Sequence, residues 1–462
     1  MSKLYKPELL YLDGSFHRDY SLLVGNDGFI QSVGSNLSAS TEQTVYLPGK
    51  ALLPGAVNVH SHSFQRLLRG KAESRRTGGK DFWSWRRTMY HAAASLSPED
   101  LYDVARMTFL EMALAGITTV GEFHYLHNAP DGRPYDNPNL LSQQVIAAAQ
   151  SVGIRIVLLR TAYFRSGYQL PKNSGQIRFF ETLDPYLSNT QQLINDYSAQ
   201  STQVRIGVAP HSIRAVPISA FREITTWARA RMLPIHTHLS EQIAENQDCV
   251  REYGLTPATL LFREQIPGAD FTAVHSIHIT PEEIDLLAKT ESTICSCPTT
   301  ERNLGDGIVP ADHAMRSRIR FTLGSDSQAQ IDPWEDAREL DYHLRLQYQQ
   351  RAPLDDIQGQ ALAKRLFDCA TINGAYSLSI PAGDLKAGKS ADFFTVDLND
   401  ASLAGHSASS LLPIIIFTLS RSAIRDVVAG GKMIIHNGDH FLEKEIVERY
   451  KSLYLRVWNE KY

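Results

Sequence analysis

The sequence predicts an α/β protein, a (β/α)8 barrel carrying a small β-sandwich-like domain built from both chain ends, and three observations carry that expectation. The middle of the chain alternates brief apolar runs with helical stretches, the alternation that yields a parallel sheet covered by helices. Eight such runs occur, the number that closes a barrel. The two ends share a different texture, short strands separated by turn residues. At 462 residues the chain exceeds the roughly 250 of a bare barrel, which leaves room for the second domain.

Taken in order, residues 1–52 form the N-terminal part of the β domain. There the runs 21–25 and 29–33 flank Asn26, Asp27 and Gly28, which is hairpin chemistry. The barrel occupies 53–378, with strands expected at 53–60, 117–124, 154–161, 204–211, 233–240, 271–276, 292–297 and 319–325. The stretch 63–95, ahead of a helix at 98–115, reads as a long loop holding two Trp, six Arg and two Lys. Loops of that length tend to be functional or disordered, and the aromatic density favours function. Strand-like runs return at 391–397 and 424–435, inside the C-terminal part of the β domain at 379–440. Over 441–462, Phe441, Leu442, Ile446, Val447, Tyr450, Leu453, Tyr454, Val457 and Trp458 recur at helical spacing, so an amphipathic helix ends the chain.

Composition narrows the function. With 43% hydrophobic and 21% charged residues the chain can bury a large core, which excludes a disordered or low-complexity scaffold. The net charge of −4, with no long block of one sign, offers nothing to a phosphate backbone, and nucleic acid is not an expected partner. Four cysteines, Cys249, Cys295, Cys297 and Cys369, are too few for a disulfide framework in a chain this long, so a reducing cytosol fits best. Cys295 and Cys297 lie too close together for a zinc knuckle and read as strand filling. The first residues lack the apolar stretch of a signal peptide, and the longest apolar run, 411–417, is interrupted by Pro413 and far too short for a membrane span. The expectation is a soluble cytoplasmic protein with no membrane partner.

Most of the barrel runs end in a residue capable of chemistry: His60, His124, His211, His238, His275 and Asp326. In a barrel the C-terminal strand ends form the active-site face. His60 and His62 are two apart on the first strand and point to one side, so both imidazoles can meet one ion. The fifth strand ends in His236, Thr237 and His238, the sixth carries His275, and the eighth is followed by Asp326. Imidazoles plus one carboxylate from separate strand ends are a zinc-like donor set. Spacing leaves His236 and His238 as alternatives for the third imidazole. A metal-acidified water and an amine leaving group also need titratable neighbours. Glu241, three residues past His238, can carry a proton to the leaving nitrogen, and His275 can take the water proton together with Asp326, with His278 as the alternative to His275.

Residues 54–62 and 383–392 resemble the amidohydrolase superfamily, and the resemblance covers nearly the whole chain. It implies a metal-dependent barrel flanked by a split β domain, with His60, His62, His238 and Asp326 as metal ligands. Binuclear members carry a bridging carboxylated lysine on the fourth strand. Residues 204–211 contain no lysine, so one Zn2+ per chain is implied, although Fe2+ or Mn2+ suits the same ligands. The stretches 60–66, 81–86, 208–216, 236–242 and 297–307 resemble the superfamily members that deiminate N-formimino-L-glutamate, in histidine degradation. Glu241, His275 and Asp326 are then the catalytic candidates, and by that resemblance Gln65, Tyr125 and His211 contact the substrate. A substrate with two carboxylates suits arginine forks, one at Arg214 and the other at Arg86. One departure is Gln328, where the resemblance leads us to expect a histidine behind the metal. It further implies a homodimer, with the Trp-rich stretch near a subunit contact. Two other readings compete: a different amidine or aminopurine deaminase, which has no need of paired arginines, and a non-catalytic binding barrel, which has no use for Glu241 beside a metal.

Overall fold

Two eight-stranded sheets divide the strands of the computed structural model, which describes residues 2–37, 43–73, 82–197 and 202–460. In chain order the strands are β1 (Lys3–Leu12), β2 (Ser15–His17), β3 (Tyr20–Val24), β4 (Ile30–Ser35), β5 (Gln43–Pro54), β6 (Ala56–Ser61), β7 (Ile117–His124), β8 (Arg155–Ala162), β9 (Val204–Pro210), β10 (Ile235–Leu239), β11 (Phe271–His275), β12 (Thr293–Ser296), β13 (Arg320–Leu323), β14 (Phe393–Asp397), β15 (Ile424–Ala429) and β16 (Lys432–Ile435). The first sheet runs β16, β15, β14, β5, β1, β3, β4, with β2 beside β1, so both chain ends build it. The second holds β6 to β13 as parallel neighbours in chain order.

Every residue of β7 and β8 is buried, which is why these strands read as continuous apolar runs rather than alternating ones. The second sheet closes through a bridge between Ser61 and Asp326. The amide of Asp326 donates to the His60 carbonyl at 2.9 Å, and the amide of His62 donates to the Asp326 carbonyl at 3.0 Å. Each expected barrel run holds a strand: 117–124 coincides with β7, 154–161 is offset by one residue from β8, and residues 53 and 54 of the first run belong to β5 of the terminal sheet, so β6 begins at Ala56. At 292–297, Cys297 leaves β12 to precede a helix, Pro298–Leu304, whose first position takes the proline that a strand interior would reject.

The expected loop at 63–95 is a correction. It contains a 3-10 turn, Ser63–Leu68, and an α-helix, Phe82–Ser95. The helix forms because Met89, Ala92 and Ala93 recur on one face and are buried, with Trp85 packed against the same core. Asp81 and the side chains of 82–84 lie outside the described residues.

The barrel and the terminal sheet are tied by a buried ion pair between Arg155 of β8 and Asp392, with Arg155 also donating to Ser390 Oγ at 2.5 Å. The last helix, Glu443–Trp458, buries Ile446, Tyr450, Leu453 and Val457, whereas Phe441 precedes it and is 81% exposed. It packs on the helix Pro98–Leu114 through Arg106 with Glu445 at 2.9 Å and Arg449 with Asp103 at 2.8 Å. Trp458 Nε1 donates to the Leu67 carbonyl at 3.1 Å and Tyr454 Oη to that of Arg69 at 2.9 Å, so this helix braces the turn that follows His62. All four cysteines are free and buried, Cys295 on β12 and Cys297 just beyond it. Among the described residues no helix is long and apolar enough to cross a membrane.

Candidate active site

Ligand atoms of His60, His62, His238 and Asp326 lie within 4.8 Å of one another at the C-terminal rim of the barrel, and all four residues are buried. Local structure aims each of them. His62 Nδ1 faces the Phe123 carbonyl at 2.8 Å and His238 Nδ1 faces that of His211 at 3.0 Å, so each ring holds its proton there and turns Nε2 inward. Asp326 Oδ1 is 3.2 Å from His62 Nε2 and 3.4 Å from His60 Nε2. Asp326 has φ +47°, a left-handed backbone uncommon outside glycine, which swings the carboxylate off the strand end toward the axis. Gly324 permits this approach: a Cβ there would sit 2.7 Å from His60 Cβ and 2.9 Å from the His60 carbonyl oxygen.

Three imidazole nitrogens and one carboxylate, converging in a buried site, fit a divalent ion of the zinc type. Burial holds His60 down at about 3, so its ring is neutral and able to ligate. Burial would raise Asp326, yet the hydrogen bonds with His60 and His62, joined by the charge of His275, hold it well below the usual carboxylate range. His236, the alternative ligand, is buried with Nε2 3.3 Å from the Ser377 carbonyl and stands outside this group.

His275 and Glu241 flank the cluster. His275 Nε2 is 3.9 Å from Asp326 Oδ2 and 4.0 Å from Glu241 Oε1. Its backbone is also left-handed, at φ +71°. His278 faces elsewhere, with Nε2 3.0 Å from the Asp306 carbonyl. Burial raises the Glu241 carboxyl above its usual value, with Asp326 adding to the rise and His275 opposing it. Both residues open onto a pocket that also takes in Gln65, Arg86, Tyr125, His211 and Arg214. Gln65 Nε2 donates to Tyr125 Oη at 2.7 Å, and His211 Nδ1 is 3.2 Å from Ser212 Oγ. His211 is pushed well below its usual value by burial and then by Arg214 and Arg86. His124, the remaining strand-end histidine, is buried outside this pocket.

Several contributors escaped the sequence reading. Glu301 is buried with Oε1 3.3 Å from His275 Nδ1, and it accepts from the Cys297 amide at 2.8 Å and Ser296 Oγ at 2.9 Å. Its signal was its place in the 297–307 stretch. Glu122 accepts from Ser61 and Ser63 hydroxyls, each at 2.6 Å, and fixes the chain around His62. Glu245, pushed up to about 7 by burial, accepts from the Glu241 amide at 3.2 Å. Tyr163 lines the pocket between the two arginines. Gln328 donates to Ser61 Oγ at 3.0 Å and to the Asp326 carbonyl at 2.7 Å, bracing both sides of the barrel closure.

Comparison with known proteins follows this geometry. The sequence pattern of the Amidohydrolase family matches residues 51–434. A formimidoylglutamate deiminase from Pseudomonas aeruginosa is 33% identical over 461 residues, which is 100% of this chain and 99% of that one. A 5-methylthioadenosine/S-adenosylhomocysteine deaminase from Thermodesulfovibrio yellowstonii is 26% identical over 92% of each chain. Among solved structures, an amidohydrolase from Brucella melitensis superimposes with a TM-score of 0.89 and 30% identity over 99% of both chains. An adenosine deaminase from Xanthomonas campestris with bound zinc shares the fold at a TM-score of 0.84 and 22% identity, over 99% of this chain and 98% of its own.

Proposed function

The chain belongs to the amidohydrolase family and is a hydrolase acting on carbon–nitrogen bonds, and from that premise we propose that it is a zinc-dependent deiminase converting N-formimino-L-glutamate and water to N-formyl-L-glutamate and ammonia. The observation that carries the reading is that Arg86 and Arg214 open onto the same pocket as the His60, His62, His238 and Asp326 group. A dicarboxylate substrate makes use of two guanidinium forks aimed into the pocket, whereas an uncharged aminopurine does not. The full-length likeness to a formimidoylglutamate deiminase supports the same substrate, and histidine breakdown as its setting. A cytoplasmic homodimer, with no nucleic-acid or membrane partner, completes the reading.

In this reading His60, His62, His238 and Asp326 hold one Zn2+. When bound, the ion supplies Lewis acidity and a water acidified toward neutral pH. Asp326 would take the proton that this water gives up, and His275, which Glu241, Glu301 and Asp326 hold well above its usual value against the effect of burial, would orient the oxygen as a hydrogen-bond donor. Glu241 transfers a proton to the departing nitrogen, a role its raised carboxyl suits because the acid form persists closer to neutrality. Glu301 keeps His275 oriented from behind. Arg86, Arg214, Gln65, Tyr125 and His211 hold the amino-acid end of the substrate and turn the formimino carbon toward the metal side.

The test is ammonia release by metal-analysed protein with N-formimino-L-glutamate, N-formimino-L-aspartate, guanine, cytosine and S-adenosylhomocysteine. The reading expects N-formimino-L-glutamate to give the highest kcat/KM. A preference for S-adenosylhomocysteine or guanine replaces it with an aminopurine deaminase, and no ammonia from any compound favours a binding barrel.

A further inference from the structure

Glu245 lies in the first turn of the helix Ile243–Tyr253 that follows β10, and it is only 8% exposed. Its two oxygens fare differently. Oε2 accepts from the Glu241 amide at 3.2 Å, whereas Oε1 is buried and meets no hydrogen-bond donor among the described residues. A buried acceptor in that state costs free energy until a donor arrives. Glu245 lines a second cavity, which shares His238, Glu241 and Arg214 with the main pocket and reaches Ala244, which is exposed, and Asp248, which is half-buried. The site therefore has a side opening as well as its mouth. Carboxyls mark the way along it: Glu241 beside the metal group, Glu245 four residues on, and Asp248 three further, where it pairs with Arg251 at the surface.

We propose that this cavity is a release passage for ammonium and that Glu245 binds the cation on its way out, so that the nitrogen product leaves from beside Glu241 while the formyl product still fills the mouth. The inference rests on the reading of the site as one that releases ammonia, and deepens it.

The two products have opposite charge. N-formyl-L-glutamate is an anion suited to the arginines of the mouth, whereas ammonia is mostly ammonium at neutral pH and gains from carboxylates. The chemistry draws no proton from outside. The carbon–nitrogen bond breaks with its electron pair on the nitrogen, which carries two hydrogens from the cationic formimino group; the two hydrogens of the attacking water complete ammonium, and the water oxygen stays as the formyl oxygen. Ammonium is all donors, and Glu245 Oε1 is an acceptor without one, so the match is charge-assisted. Burial pushes Glu245 up to about 7 against the pull of Arg214, with Glu241 adding to the rise. At neutral pH the group is thus poised between its two forms, and an arriving cation draws it into the charged one. Arg214 does not bar the way, since a substrate carboxylate occupies its fork during turnover.

The experiment follows formation of N-formyl-L-glutamate by metal-loaded enzyme, with ammonium chloride as the probe and sodium chloride at equal ionic strength as the control. Ammonium should inhibit wild type noncompetitively against N-formimino-L-glutamate, because it binds while the mouth is occupied. In Glu245→Gln its inhibition constant should rise about tenfold, the worth of one charge-assisted hydrogen bond. Ala244→Trp, at the exposed outer end, should lower steady-state kcat about fivefold and leave the single-turnover rate of formyl product formation unchanged, since it obstructs departure and not chemistry. Competitive inhibition puts ammonium in the mouth and overturns the proposal. So does inhibition no greater than that by sodium chloride, an inhibition constant that Glu245→Gln leaves unchanged, or a kcat that Ala244→Trp leaves unchanged. If Ala244→Trp lowers both rates, its site is damaged and the ammonium constants of wild type and Glu245→Gln decide. If N-formimino-L-glutamate is not turned over, the deiminase reading falls by itself, and the same measurements run on whichever compound releases ammonia; release from none overturns both.

Discussion

His238 Nε2 stands 3.1 Å from His60 Nε2, although their strands, β10 and β6, lie on different sides of the barrel and share no hydrogen bond. The two rings meet because both project from the C-terminal rim to the axis. An ion bridging them should therefore depend on His238 and be indifferent to His236. Elemental analysis of purified protein should find one equivalent of divalent metal in wild type and in His236→Ala, and strong loss of metal and activity in His238→Ala. Two equivalents in wild type would falsify the single-metal reading.

Glu241→Gln should retain metal and lose turnover. The amide is nearly isosteric but carries no proton between water and leaving nitrogen, and general acid–base groups contribute on the order of 10²–10⁴-fold. Steady-state kinetics on metal-quantified protein decides the matter. A variant within threefold of wild type, about 0.7 kcal/mol of transition-state energy, removes Glu241 from the mechanism. His275→Asn should show a similar loss, and His278→Asn should not.

Metal removal should lower thermal stability as well as activity. The ligands span the closure of the barrel, so the ion binds the folded chain and not the unfolded one. At free metal a thousandfold above Kd this linkage contributes roughly 4 kcal/mol. Calorimetry before and after chelation should show a lower Tm for the stripped protein, restored by re-adding metal. An unchanged Tm would mean that the ion does not bind the folded chain in preference to the unfolded one.

Arg160 and Glu181 give the stability of this protein an acid limb. They pair at 2.6 and 2.9 Å, with Arg160 fully buried and Glu181 largely so. Burial works against the charge on Glu181, but Arg160 and then His127 outweigh it and hold the carboxyl at about 2. A carboxyl depressed in the folded state stabilises above its unfolded pKa, near 4.5, and that stability drains away as pH falls from there to about 2. The depression corresponds to stability on the order of 3 kcal/mol at pH 7. Glu181→Gln should thus cost most near neutrality, with the Tm gap to wild type closing below pH 4. A gap that stays constant with pH would show that the loss is one of packing.

Much of the fold was legible because parallel strands buried on both faces leave an unbroken apolar signature, as at 154–161. The helix Phe82–Ser95 was not, since its arginines and tryptophans hide a buried face made of small residues such as Ala92 and Ala93. The site divided in the same way. His60 and His62 announce themselves by their spacing of two. His236 and His238 share that spacing and both point inward, so only height along β10 separates them. His236 lies one step deeper, against the helix Ile372–Ser377, and a pattern of alternation carries no information about height. Tyr163 had no local signal at all, because its role is to meet residues 77 and 51 positions away.

The closure through His60, His62 and Asp326 has a bearing on how the protein is born. During synthesis the two imidazoles of β6 emerge early, His238 later, and Asp326 only after every other barrel strand has been made. The sheet begun by β1 waits longer still, for β14 to β16. Contacts between such distant stretches must overcome the entropy of closing long loops, so they form late. A nascent chain therefore has no pocket in which to capture a stray ion, and acquires its metal centre as one of the last acts of folding.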